Sequence, residues 1–457
     1  MIGWLAVVVC ALPGVVSAAA GVPVLEGLRP EIDFWKAIFA NYSSEQVVFH
    51  DRDDLTRIYS ALDFSGLAEA GLSDLQIEIR RREAVQQEAE RLRALLLDLH
   101  RRGGDTTGLS KEELRIARLF GENPAPDAFL EAAGEGRVRG QTGLRDRFQR
   151  GLEISRRYLP MMEKIFGSEG LPIELTRLPF VESAFNVKAY SKVGAAGLWQ
   201  FMPSTGRLYM TVGNVVDERR DPIASTVAAA RFLKSNYDHL GSWPLAVTAY
   251  NHGRGGVARA VGEVGSTDLV KIVRRYRGPS FGFASRNFYA EFLAAVEVER
   301  DAERYFGPIN GERELHIETV TVPVSTSFAG LARAAGVDRD MLAELNPALS
   351  SHALAGRVPV PSGYRLRLPS GSSGHFAQST STLVAMRTEK KSKKVSRSKG
   401  STSAAKGGFV RHRVRRGQTL QSIARQYQTT VNRIRRHNRL SNPNIVPVGQ
   451  TLVIPRG

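Results

Sequence analysis

The chain has 457 residues, 42% hydrophobic and 24% charged, a balance that excludes a wholly disordered or fibrous protein. One cysteine, Cys10, leaves no disulfide framework and no cysteine-held metal site. The formal charge of +17 is concentrated: 387–457 holds 18 Lys and Arg against a single acid, Glu389, so the rest of the chain is neutral overall. A basic tail of this kind suits an anionic polymer, in the cell envelope or as nucleic acid.

In chain order, 1–20 reads as an export signal. An apolar run, 4–16, leads into the small residues Val16-Ser17-Ala18-Ala19-Ala20, with cleavage expected after Ala18 or Ala20. The run is shorter than the roughly 20 apolar residues a membrane helix needs. Val7-Val8-Val9 before Cys10 lacks the small residue usually found just before a lipid-attachment cysteine, so cleavage is favoured over a lipid anchor at Cys10, which stays open as the alternative. The expected location is therefore exported, in the periplasm or cell envelope, with no transmembrane span in the mature chain. Export also removes nucleic acid as a ligand for the tail, leaving anionic envelope polymers.

The region 21–139 is expected to be a helical accessory segment. Leu75, Ile79, Val85, Ala89, Leu92, Leu95 and Leu96 recur at near-helical spacing among charges, and nothing there suggests chemistry. Ser110-Lys111-Glu112-Glu113 marks a helix start. The region 140–307 is also predicted helical. Leu152, Ile154, Tyr158 and Met162 share one helix. Pro172 opens another that runs to about residue 183, kinked at Pro179. An alanine-rich helix covers 225–237, and Gly241-Ser242-Trp243-Pro244 turns into a helix ending at Tyr250.

Two later stretches repeat one unit. Thr326-Ser327-Phe328 with Leu331, Leu342 and Asn346 matches Thr419-Leu420 with Ile423, Ile434 and Asn438. Gly363 to Pro369 matches Gly449 to Pro455, so each copy reads strand, helix, helix, strand. The copies are bounded at 318–369 and 409–457, and 370–408, rich in Ser, Gly and Lys, is expected to be a flexible basic linker.

One acid stands out. Glutamate in a helix normally faces water, but Glu182 lies among Phe180, Val181, Ala184 and Phe185. Desolvation raises a carboxyl pKa, and an acid still protonated near neutrality can cleave a glycosidic bond. Asp217-Glu218-Arg219-Arg220-Asp221 offers further carboxylates, but its interleaved arginines read as a surface ion-pair cluster or a helix start. Gly194 and Gly197 fit a tight turn, and Trp199 and Phe201 read as core.

Three blocks carry a resemblance: Glu182-Ser183; Ser191-Lys192-Val193-Gly194-Ala195-Ala196-Gly197-Leu198-Trp199-Gln200-Phe201-Met202-Pro203; and Ala249-Tyr250-Asn251. In this order and spacing they resemble the soluble lytic transglycosylase domain, and the chain is similar to the membrane-bound D group of lytic murein transglycosylases. The repeated unit resembles the LysM module, a small βααβ fold that binds N-acetylglucosamine-containing glycan. The resemblance implies a mainly α chain: a goose-type-lysozyme-like helical catalytic domain, an N-terminal helical segment and two LysM-type modules, the first degenerate.

It implies cleavage of the bond between N-acetylmuramic acid and N-acetylglucosamine in peptidoglycan. Glu182 would act as acid and then base, with no second carboxylate, no metal and no cofactor. Ser191, Gln200, Met202, Tyr250 and Asn251 match cleft positions. Gly417, Thr419, Leu420, Asn438, Asn442 and Pro443 match the glycan groove of the second module. Two departures stand: His252 replaces a small residue, and Phe288-Tyr289 replaces a Tyr-Val pair whose tyrosine lines the cleft. Two rivals remain: a muramidase of the same fold, which uses water, and a non-catalytic wall-binding scaffold.

Overall fold

In the computed structural model the most buried long helix is Phe283–Arg300. Phe288, Tyr289, Phe292, Leu293, Ala294, Ala295, Val296 and Val298 are all buried, because apolar residues occupy most of its circumference. The structure describes residues 21–457 apart from 70, 104, 382–408, 416–417, 439, 441–446 and 456–457. The expected export signal, Cys10 and most of the basic linker lie outside the described residues.

Helix Arg29–Ala40 packs against Phe283–Arg300. Ile32, Trp35, Ile38 and Phe39 join the same apolar core as Phe148, Phe180, Trp199 and Phe292. Glu297 fastens the pair, accepting from Arg29 at 2.9 Å and from Lys36 at 2.7 Å. The start of the expected accessory segment is thus part of the main core.

The segment also contains strands that helical spacing did not foretell. β1 (Gln46–Asp51), β2 (Ile58–Asp63) and β3 (Val138–Thr142) form an antiparallel sheet in the order β2-β1-β3. Val47 to Asp51 are buried without alternation, so the period-two signal of a half-exposed strand is missing. β3 pairs with β1 from Val138 to Thr142, so a boundary between 139 and 140 would cut through a sheet. Helix Asp74–Arg101 lies over this sheet through a satellite core of Leu92, Leu96 and Leu99 with Val47 and Phe49. Helix Lys111–Arg118 starts where expected, with Ser110 and Glu113 forming a reciprocal cap.

The chain divides into two units, Met1–Thr380 and Ser381–Gly457. Each contains one repeat. In the first, β4 (Ile317–Thr321) pairs antiparallel with β5 (Arg365–Pro369) around helices Phe328–Ala335 and Arg339–Leu345. In the second, β6 (Phe409–Arg413) pairs with β7 (Thr451–Pro455) around Leu420–Gln426 and Val431–Asn438. The chain is mainly α, with these two small βααβ modules.

The matched asparagines perform one job in both. Asn346 donates to Leu342 O and Arg367 O and accepts from Arg367 N. Asn438 donates to Ile434 O and Val453 O and accepts from Val453 N. Each pins a helix end to the last strand.

The linker expectation fails at its start. Residues 373–381 are helical and bury Phe376 in the first module's core. The amides of Gly371 and Ser373 donate to Glu318. One large apolar residue, Phe376, outweighs the polar composition around it.

Candidate active site

Glu182 sits one residue from the end of the short helix Leu178–Ser183. The expected continuous helix with a kink at Pro179 is instead two elements: a 3₁₀ turn, Ile173–Arg177, and then this helix with Pro179 in its first turn. Proline there lacks an N–H that would have had no helical partner, so it starts the helix and breaks nothing. The end is abrupt. Ala184 and Phe185 both adopt left-handed backbone, φ 48° and 56°. Such conformations cost about 1–2 kcal/mol each outside glycine. They persist because Phe185 is fully buried and its N–H donates to Pro179 O at 3.1 Å. The consequence is a side chain held at a sharp turn instead of on a long helix face.

Helix Arg145–Ser168 approaches this turn closely at Gly151, where a β-carbon would stand 3.0 Å from Ala184 O. A groove of about 700 Å³ opens there, lined by Glu182, Phe148, Ile154, Phe180, Arg147 and Arg150 among others. Glu182 retains some exposed surface, yet burial pushes its carboxyl up to about 8.

Of the cleft residues expected from sequence, Tyr250 is the one tied to the 189–201 turn and near Glu182. Ser183 Oγ donates to Leu198 O at 2.9 Å, and Tyr250 OH donates to Trp199 O at 2.8 Å. Burial and the nearby Glu182 push the Tyr250 hydroxyl up. Ser191 Oγ accepts from Ala195 N, and Gln200 Nε2 donates to Gly197 O, so both close the turn internally. Gln200 is itself left-handed, φ 46°. Met202 is 39% exposed. Asn251 is exposed and accepts from Ser285 Oγ at 3.1 Å. None of these five lines the groove beside Arg147 and Arg150.

Trp199 is core: it stacks on Phe166 at 5.6 Å and donates to Thr226. His252 ends helix Trp243–His252, hydrogen-bonded to Ser285 and edge-on to Phe281. Tyr289 does not replace the missing cleft tyrosine. It is buried, and its hydroxyl donates to Pro23 O at 2.6 Å. The 217–221 acids are structural: Asp217 pairs with Arg219, and Asp221 caps helix Pro222–Leu240. The cluster is not on the surface as expected: Arg219 and Asp221 are each 3% exposed, enclosed by the 194–201 turn and by Arg367.

One residue escaped the sequence reading. Glu291 lies on Phe283–Arg300, which packs on the Glu182 helix. Burial, with Glu182 adding repulsion, pushes its carboxyl up to about 8. The signal was present: Glu291 is the only charged residue between Asn287 and Val296. An acid raised from an ordinary 4.5 to about 8 binds more protons folded than unfolded between those values. Its favourable term is complete below the unfolded value and is lost as pH rises toward the folded one. Glu291→Gln is therefore expected to flatten the fall in melting temperature between pH 5 and 8. An unchanged slope would remove Glu291 from the account.

In the second module, Thr419 caps Leu420–Gln426 reciprocally with Ser422 and Leu420 is core. With Asn438 spent internally, the described members of the expected glycan set hold the module together. Gly417, Asn442 and Pro443 lie outside the described residues.

The Transglycosylase SLT domain matches 165–272, the LysM domain matches 412–455, and the LysM-like domain of lytic transglycosylase MltD matches 316–385.

The chain carries an SLT domain and two LysM-type modules.

The SLT match spans Glu182, Ser191, Gln200, Met202, Tyr250 and Asn251 and stops short of Glu291. The first LysM-type match runs past 369 to take in the helical 373–381 stretch. Membrane-bound lytic murein transglycosylase D of Escherichia coli K12 is 31% identical over 325 residues, 67% of this chain. The chain spans 65% of that relative's length. The cortical fragment-lytic enzyme of Bacillus subtilis is 52% identical over 42 residues, 9% of this chain and 10% of its own. The solved 70 kDa soluble lytic transglycosylase of Escherichia coli is 19% identical, with a TM-score of 0.29, over 53% of this chain and 47% of that one. Beside the SLT domain, no group of three metal-binding side chains occurs among the described residues. No helix among them is long and apolar enough to cross a membrane.

Proposed function

We propose that this chain is a peptidoglycan lytic transglycosylase of the cell envelope, exported to the periplasm, with LysM-type modules that hold it on glycan. The observation that carries the reading is the Glu182 carboxyl, pushed up to about 8 at a groove wall within an SLT domain. In that state it carries a proton at neutral pH and has one to give.

Glu182 donates this proton to the oxygen bridging N-acetylmuramic acid and N-acetylglucosamine. The C1–O bond breaks, its electron pair stays on oxygen, and the N-acetylglucosamine end leaves as an alcohol. The muramic 2-acetamido oxygen supports the cationic C1. The carboxylate of Glu182 then removes the proton of the 6-hydroxyl, and O6 closes on C1. The product is a 1,6-anhydro ring, Glu182 is protonated again, and no water is consumed. Tyr250, tied to Trp199 O, keeps the turn and the acid in register. Tethering by the second module raises local enzyme concentration on the strand, and the basic 387–457 stretch adds affinity for anionic envelope polymers.

Mass spectrometry of sacculi digested by the full chain tests the reading. Anhydromuramoyl ends are expected; reducing muramic ends would make it a muramidase, and undigested sacculi a scaffold. The proton-donating form is lost as Glu182 ionises, so glycan release is expected to decline as pH rises through about 8. A profile flat from pH 6 to 9 would separate release from this group.

A further inference from the structure

By sequence offset from the matched asparagines, 346–351 of the first module corresponds to 438–443 of the second, the stretch that the LysM resemblance matches to a glycan groove. In the first module it is already occupied. Asp217 N–H donates to Ala348 O at 2.8 Å, Ser350 N–H donates to Val215 O at 3.0 Å, and Val216 bridges Leu349 antiparallel. Val216 is buried in the module's own core with Phe328, Leu331, Leu349 and Leu366. Beside this short ribbon, Arg367 of β5 donates to Asp221 at 3.1 Å, both about 3% exposed as side chains. Thr319 takes a second Arg367 N–H at 2.7 Å.

The occupied segment continues straight to the turn beside Glu182. Arg219, 3% exposed, is clamped by Asp217 at 2.7 Å. It donates to Gly194 O at 2.7 Å and to Phe201 O at 3.0 Å, bracketing the turn. Inside the bracket, Leu198 O and Trp199 O receive Ser183 and Tyr250. The contacts are hydrogen bonds and ion pairs, buried or partly buried, and Asp221 joins Arg219 through the backbone of the 3₁₀ turn two residues away, so the elements from Arg367 to the turn are contiguous.

We infer that the first LysM-type module is a positioning element for the Glu182 turn: its groove lip holds the chain's own residues 215–217 in place of glycan, and Arg367, through Asp221 and Arg219, sets the turn. Its catalytic consequence rests on the proposed function, whereas its structural core does not. The positioning residues are Arg367, Asp221 and Arg219.

The test compares full-length wild type with Arg367→Met, which keeps the stem and breaks the pair, and Arg367→Lys, which keeps the charge. Val216→Ala loosens the ribbon independently should Arg367→Met fail to fold. Hydrogen exchange at amides 194–201 is expected to speed by about tenfold in Arg367→Met and in Val216→Ala, and to return toward wild type in Arg367→Lys. Glycan release at saturating sacculi is expected to fall by a similar factor, with pelleting affinity unchanged. Wild-type exchange at the turn in both Arg367→Met and Val216→Ala would overturn the inference. So would reduced pelleting with release at saturation intact. If wild type released no glycan at all, the proposed function would fail, and exchange would still judge the coupling.

Discussion

Glu182→Gln is expected to lower anhydromuropeptide release from sacculi by about 10²–10⁴-fold, the range a positioned general acid contributes. The substitution keeps shape and removes the transferable proton, so binding to sacculi should persist. Stability should move the other way. Glu182 ionises near 4.5 unfolded and about 8 folded, so the native state loses its advantage as pH rises between them. Glutamine carries no such term, and the variant should melt higher than wild type at pH 9 and nearly alike at pH 5. Lost activity with a raised alkaline melting point is the signature of an acid stored at a cost in stability. Wild-type release from Glu182→Gln would end the proposal that this carboxyl does the chemistry. A lowered melting point at pH 9 would end the claim that burial sets its pKa.

Gly197→Ala is expected to be the most damaging single methyl in the SLT domain. Gly197 has φ +77°, and a β-carbon there would stand 2.0 Å from Arg219 O and 2.9 Å from Arg219 C. Those are backbone atoms of the segment that brackets the turn, so no side chain can swing away. Left-handed strain plus overpacking should cost about 3 kcal/mol or more. Gly241→Ala is the control: φ is +67°, with nothing within 4 Å of the added carbon. It should cost only about 1 kcal/mol of backbone strain. Chemical denaturation of both variants distinguishes strain from close approach. Equal losses would mean that contact between the turn and Arg219 contributes nothing.

The parts legible in the chain share a property: their information is local. Ser110 and Glu113 lie three residues apart and cap each other. Asp221 stands immediately before Pro222 and caps its helix. The module repeat shows because each copy carries its own core and its own pinning asparagine. Glu182 attracted attention because its apolar neighbours are adjacent in sequence. Where the reading went wrong, the partner was remote. β1 meets β3 about ninety positions away, and burial on both faces erased the alternation that would have marked it. Residues 373–381 look like linker until Phe376 finds the first module's core.

Composition, spacing and motif order by themselves determined that this is a helical SLT chain with two small βααβ repeats, a basic end and one acid set among apolar neighbours. Only the tertiary structure decided that helix Arg29–Ala40 belongs to the main core and that Glu291 shares the buried surroundings of Glu182. It also decided that the first repeat clasps the segment behind the turn. The reason is range. Capping and amphipathic spacing act over one or two helical turns. The desolvation of a carboxyl and the pairing of Asp221 with Arg367, 146 positions apart, exist only once distant segments have excluded water together.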